Sequence, residues 1–325
     1  MTKKFNINNC VVQFVVKNVK KYSGPKSGCR VGVSPASGTL GAFANSSNGT
    51  DDTNPALYAL ISNHVAKSQP RHDITVNFID TQTNVIQTRL GKVEISNGLL
   101  DIAAVKVDIG IKSRCDTRLR TLAGKPTMGK TFNFMSGNQR HVRGLMGRQV
   151  YIHGAVTSGG RGKITHPAYT VPYMPSTFVI VEDDAGYGHF AEPGDSGAMV
   201  CAEMTDSPFV EVISAIQGEI ITSHSPTKSG ENKSNVTAVP TGDEKCGRLK
   251  ETATASESGH ISILNRLKTG IGKTVKDDSD SKAENTSTPR RYLTIPLQAG
   301  LEQIRNERKL KNLKLCNEVT EDTHH

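Results

Sequence analysis

The sequence contains no tryptophan, and aromatic residues make up only 5% of its 325 positions. Apolar residues reach just 35%, a low share for a wholly globular chain. Part of the chain is therefore expected to lie outside any packed core. Cysteine is also sparse: Cys10, Cys29, Cys115, Cys201, Cys246 and Cys316 are far apart and irregularly spaced. No C-x-x-C pair or other zinc spacing occurs, which argues against a structural zinc site and against a disulfide framework. Cys10 and Cys201 lie in apolar runs and read as small core residues. Long apolar runs are lacking too. The N-terminal "MTKKFNINNCVVQFVVKNVKK" holds only a short one between polar flanks, too short for a signal peptide or a membrane span. A cytoplasmic setting is expected, in which the N-x-S/T triplets at Asn45 and Asn235 carry no glycan. Blocks of one charge sign are missing as well. The net charge is +9, but it is scattered, and reads as solvated lysines rather than a nucleic-acid surface. The best basic patch, "RNERKLKNLKLC", has no interleaved aromatics and reads as the wet face of a helix.

What is present is a rhythm of short strands. Between residues 39 and 220, segments such as "LYALISNHV", "DITVNFIDT", "IAAVKVDI", "GRQVYIHGAV", "TFVIVEDD" and "EVISAIQGEII" are β-branched or alternate apolar with polar. Glycine and polar turns separate them, and helical spacing is scarce. The pattern predicts an all-β chain. The basic stretch "KSRCDTRLRTLAGKPTMG" splits the strands into two sets of five or six, as for two small barrels and a linker. The expected layout is an N-terminal extension or first strand over 1–37, a first barrel over 38–112 and a linker over 113–128. A second barrel follows over 129–223. Residues 224–289 are rich in Ser, Thr, Lys, Asp, Glu and Gly and read as a disordered polar insertion, with "HISILNRLK" a transient helix within it. A closing strand, a helix and a tail occupy 290–325. Leu297, Leu301, Ile304, Leu310 and Leu313 leave an apolar stripe on that helix.

One short stretch asks a chemical question. In "FAEPGDSGAMV", Ser196 sits at a bend after Pro193-Gly194 and before an apolar run. The residue is either part of a capped tight turn or a nucleophile ringed by backbone N–H groups. A nucleophile needs a base and an orienting carboxylate. His64, near the end of the apolar "YALISNHV", is the candidate base, with an ordinary strand-end histidine as the alternative. Asp101, between Leu100 and Ile102, is the candidate carboxylate. Burial there demands a partner, for which an imidazole N–H is suited. The alternative is a turn-capping aspartate after Asn97-Gly98. Asp108 lies at the far end of the same predicted strand and cannot share one rim with Asp101.

The order His64, Asp101, Ser196, with "SNHVA", "DIAAVKV" and "GDSGAMV", resembles the trypsin-like serine peptidases of the chymotrypsin fold. "YALISNHV", "FAEPGDSGA", "HGAVTSGGRGKI" and "YLTIPLQAGLEQI" are more similar to an intracellular bacterial and plant branch that includes the NARROW LEAF-type proteins. The likeness spans about residues 38–222 and resumes near 290. It implies two six-stranded antiparallel barrels with a C-terminal helix. It also implies serine endopeptidase activity, with Ser196 as nucleophile, His64 as base then acid, and Asp101 as orienter. The N–H groups of Gly194 and Ser196 would form the oxyanion hole. No cofactor or metal is implied, and the implied partner is a protein or peptide, not a membrane or nucleic acid. The chain shows no "IVGG"-like start, so Asp195 is expected to bond locally rather than to a freed N-terminus. Phe190, Ser214, Gln217 and Gly218 are the implied substrate-binding positions. Phe190 stands where an acidic pocket floor would be, which disfavours cleavage after Arg or Lys and suggests a small or medium apolar side chain. Glu192 would modify that preference. His153 and His189 read as satisfied surface histidines rather than ligands.

Overall fold

The computed structural model describes residues 2–7, 10–15, 24–33, 36–46, 55–79, 84–134, 139–171, 174, 176–205, 207–220, 289–308, 310 and 312–318. The polar segment over 224–289, with "HISILNRLK" inside it, lies outside the described residues except for position 289. No helix among the described residues is long and apolar enough to cross a membrane.

The expected all-β double-barrel architecture is present, and its two halves close differently. Strands β1 (Thr2–Ile7) and β2 (Cys10–Val15) form an antiparallel hairpin of their own. The first half contains β3 (Arg30–Val31), β4 (Gly38–Thr39), β5 (Ala42–Ser46), β6 (Ala56–Ser62), β7 (Asp73–Ile79), β8 (Val85–Asn97) and β9 (Ile102–Val107). The linker folds into a minimal hairpin, β10 (Leu119–Arg120) and β11 (Pro126–Thr127). The second half contains β12 (Gly129–Thr131), β13 (Gln149–His153), β14 (Ser158–Thr170), β15 (Thr177–Asp183), β16 (Met199–Glu203), β17 (Val210–Ile220) and β18 (Arg291–Pro296). β19 (Lys314–Leu315) follows helix Leu297–Arg308.

In the second half, β17, β16, β13, β14, β15 and β18 pair in that order, and β18 returns to β17. This ring of six strands is closed, and β12 runs parallel to β17 beside it. The first half is an eight-stranded sheet in the order β19-β5-β6-β9-β8-β7-β3-β4. Lys314 and Leu315 of the tail pair with Asn45 and Ala44 at the edge of β5. At the opposite end β4 runs through Leu40 and Gly41 straight into β5: the Leu40 N–H donates to the Cys29 carbonyl at 2.8 Å and the Gly41 N–H to the Leu60 carbonyl at 2.9 Å, so one bent strand touches both ends of the order.

The near-continuous apolar runs of β6 and β9 follow from burial on both faces. Leu57, Ala59 and Ile61 point into the first half with Ala103, Val105 and Leu90. Tyr58, Leu60, Ile102 and Ala104 point the other way, into a seam shared with Met199, Leu293 and Ile295 of the second half. The closing helix fills the same seam. Its stripe residues Leu297, Leu301 and Ile304 recur at helical spacing and are at most 3% exposed, whereas Leu310 and Leu313, expected on the same stripe, lie beyond the helix end at Arg308. The helix thus locks the two halves onto each other. Ile304→Ala is expected to cost about 2–5 kcal/mol of folding stability, because the cavity opens in the seam. Equilibrium urea unfolding of both forms measures it.

Candidate active site

Strand β6 ends at Ser62, and His64 lies on the short helix Asn63–Lys67 that follows. The histidine was expected on the strand end; one turn of helix displaces it from there. Asp101 grips this helix twice. Its Oδ2 lies 2.7 Å from His64 Nδ1, and its Oδ1 accepts the backbone N–H of His64 at 2.8 Å. The Asp101 carbonyl accepts the N–H of Asn63 at 3.0 Å. A carboxylate acceptor on Nδ1 selects the tautomer that leaves Nε2 as an acceptor. The pair is partly sheltered, with side-chain exposures of 32% and 18%.

Asp101 has φ +47°, the left-handed region that few residues other than glycine, asparagine and aspartate adopt. Its turn is held from three sides. Asn97 Oδ1 accepts the Leu100 N–H at 2.8 Å, and Asn97 Nδ2 donates to Glu307 of the closing helix at 2.6 Å. Gln217 Nε2, from the second barrel, donates to the Leu100 carbonyl at 3.0 Å. Asp108, the rival candidate, sits at the other end of β9 and pairs with Arg89 at 3.1 Å.

The Ser196 turn is built around a buried carboxylate. Asp195 is fully buried. Its Oδ1 accepts the N–H groups of Val156 (2.8 Å) and Thr157 (3.1 Å), and its Oδ2 accepts that of Glu192 (2.9 Å). Asp195 thus bonds locally, to the turn between β13 and β14. Gly194 has φ +108° and Gly197 φ +92°, which only glycine adopts cheaply. A side-chain carbon at Gly197 would stand 2.8 Å from the Thr39 carbonyl oxygen and 3.0 Å from Ser62 N, so the bare backbone lets the second barrel touch the first here. Thr39 secures that contact: its N–H donates to the Ser196 carbonyl (2.9 Å) and its Oγ1 donates to the Gly194 carbonyl (3.0 Å). Sequence reasoning passed over Thr39 and read Asn97 only as part of a turn, because the tertiary contacts alone give them these roles.

The turn's own donors divide into two groups. The N–H groups of Asp195, Gly197 and Ala198 bond to Glu192, Ile216 and Asp195 carbonyls. Those of Gly194 and Ser196 donate to no group among the described residues. Ser196 Oγ donates to the Gln217 carbonyl at 3.1 Å, not to His64. Asp101, Ser62, Gly197 and Gln217 nevertheless line one recess between the halves.

The other expected positions fall in different settings. Phe190 is fully buried in the second barrel against Tyr292, with its N–H on Asp183. Its ring therefore forms core, not groove wall. Ser214 is also buried, with Oγ 2.8 Å from Thr294 Oγ1 across the sheet. Gln217 and Gly218 are half-buried beside the serine turn. His153 Nε2 donates to the Thr121 carbonyl at 2.7 Å, and burial holds its imidazole pKa below the ordinary value. His189 pairs with Asp183 at 3.0 Å. Among the described residues no three His, Cys, Asp or Glu side chains are grouped to hold a metal. Burial pushes the Cys201 thiol up to about 12, as for an inert core residue.

No family model and no curated protein matches the chain. Proteases are among the solved structures it resembles. One is a glutamic-acid-specific serine protease described as using a histidine triad in substrate binding, at 12% identity and TM-score 0.43, covering 86% of this chain and 96% of that one. Protease A of Thermobifida fusca matches at 14% identity and TM-score 0.38, over 61% and 84% of the two chains. A Nocardiopsis protease matches at 16% identity and TM-score 0.37, over 61% and 85%. At such scores the weight rests on the geometry above.

Removing the Asp195 carboxylate would take the acceptor from three part-buried N–H groups. Asp195→Ala is expected to cost about 1–3 kcal/mol of stability, the scale of leaving a sheltered donor unpaired. Asp195→Asn, which keeps acceptor capacity, is expected to cost less. Urea unfolding of the two variants makes the comparison.

Proposed function

We propose that the chain is a serine endopeptidase that cleaves peptide bonds through an acyl-enzyme. The observations that carry this reading are the Asp101–His64 pair, held by second-barrel and helix contacts, and a serine turn in which two N–H groups have no acceptor among the described residues; Asp101 and Gly197 line one recess. In this mechanism Ser196 Oγ turns from the Gln217 carbonyl and attacks the substrate carbonyl carbon, while His64 Nε2 takes its proton. Asp101 stabilises the imidazolium that results and keeps the ring oriented. The substrate oxygen becomes an oxyanion that the N–H groups of Gly194 and Ser196 would receive. His64 then passes the proton to the leaving amine, and the C–N bond breaks. A water molecule, deprotonated by His64, attacks the acyl ester and releases Ser196. The motif wording in "YALISNHV" and "FAEPGDSGA" aligns this reading with the intracellular bacterial and plant branch. Free thiols at Cys29, Cys115, Cys201 and Cys316 fit a reducing cytoplasmic setting.

A second reading, a peptide-binding module with little catalysis, is favoured by one observation: the Ser196 hydroxyl is engaged by the Gln217 carbonyl. A fluorophosphonate probe separates the two. Labelling at Ser196, lost in Ser196→Ala and in His64→Ala, is expected for the enzyme; absence of labelling in folded wild-type protein supports the module. For the enzyme, Asp101→Asn is expected to lower kcat about 10⁴-fold while leaving the fold intact, because the ring loses its enforced tautomer. Steady-state kinetics on a cleaved library peptide, beside circular dichroism, checks both halves of that statement.

A further inference from the structure

Beside the serine turn lies a group of three charges that the mechanism does not use. Arg290 Nη1 stands 3.7 Å from Glu192 Oε2, and Arg290 Nε stands 3.9 Å from Glu219 Oε1. Both separations exceed hydrogen-bond length. Among the described residues the guanidinium has no closer side-chain partner, and neither carboxylate accepts a hydrogen bond. The three side chains are 35–42% exposed, so each keeps an open side.

Their placement follows from the chain. Glu192 lies four residues before Ser196, on the segment that Asp195 pins. Glu219 lies two residues beyond Gln217, whose carbonyl holds the Ser196 hydroxyl. Glu219 is opposite Tyr292 across the β17–β18 ladder, and the Tyr292 hydroxyl donates to the Ala191 carbonyl at 3.1 Å. That bond draws Arg290 and Glu219 to the segment before the serine. Between Gln217 and Glu219, a side-chain carbon on Gly218 would meet nothing within 4 Å, so the groove is open there. Below it, the buried Phe190 ring fills the barrel, which leaves recognition to the charged rim.

Two carboxylates and one guanidinium leave one negative charge uncompensated. The adjacent pairs, Glu182 with Arg291 and Asp183 with His189, add no spare cation. An arriving cation would complete a balanced two-by-two set of charge-assisted contacts, whereas an arriving carboxylate would make three acids share one base. We propose that Glu192, Arg290 and Glu219 form the specificity rim of the groove and select a substrate residue with a cationic head, lysine or arginine, next to the cleaved bond. This inference rests on the peptidase reading. It runs against the expectation drawn from position 190, because the acids come from Glu192 and Glu219 rather than from that floor position.

The test uses full-length protein and peptides that differ only in Lys, Gln or Glu before the cleaved bond. Wild type is expected to favour Lys over Glu in kcat/KM by about tenfold or more, the scale of one charged contact. Added salt is expected to shrink that ratio. Glu219→Gln is expected to lower it about tenfold, Arg290→Gln to raise it, and the double variant Glu192→Gln/Glu219→Gln to reverse it. A ratio unmoved by rim charge and salt, or a wild-type preference for Glu, overturns the inference while fluorophosphonate labelling of Ser196 leaves the peptidase reading standing. Absent labelling of the wild type removes both.

Discussion

The Asp101 carboxylate is the contact on which the rest of the site depends. One oxygen fixes the His64 ring and the other fixes the backbone that carries it. A residue held in the left-handed region at φ +47° stays there only when its surroundings over-determine it. Here the surroundings are Asn97, Gln217 and Glu307, one from each of the first sheet, the second barrel and the closing helix. The geometry of a single imidazole thus depends on three pieces of chain far apart in sequence.

A second carboxylate plays the matching part on the other side of the recess. Asp195 is fully buried but not unpaired, because it gathers the N–H groups of two neighbouring loops. Burying a charge is tolerable only with that density of donors. The outcome is a rigid turn whose remaining N–H groups, those of Gly194 and Ser196, are left for something else. Both turns follow one rule: a sheltered acid gathers backbone N–H groups and so fixes the segment that carries His64 or Ser196.

The joint between the halves depends on the tail as much as on the barrels. The second ring closes on itself through β17 and β18. On the first sheet the tail strand takes an edge of β5, and the closing helix covers the seam. The tail is therefore structural on both sides, tied to the first half by strand pairing and to the second by the unbroken run from β18 into the helix. Close backbone approach at Gly197 and the Thr39 bonds to the serine turn complete the joint.

The sequence by itself determined the all-β class and the apolar spacing of Leu297, Leu301 and Ile304 on the closing helix, because hydrophobic period and turn residues act over a few neighbours. It also singled out His64, Asp101 and Ser196, since each stands in a local context that asks for a partner. It misplaced His64 onto a strand and put Phe190 in a groove, because one turn of helix and the facing of a buried ring are settled by packing. It gave no hint that Thr39 matters, that Asn97 reaches the closing helix or that Arg290 stands between two glutamates. Those facts arise from residues tens to more than two hundred positions apart, which only the folded seam and the β17–β18 ladder bring within reach of one another.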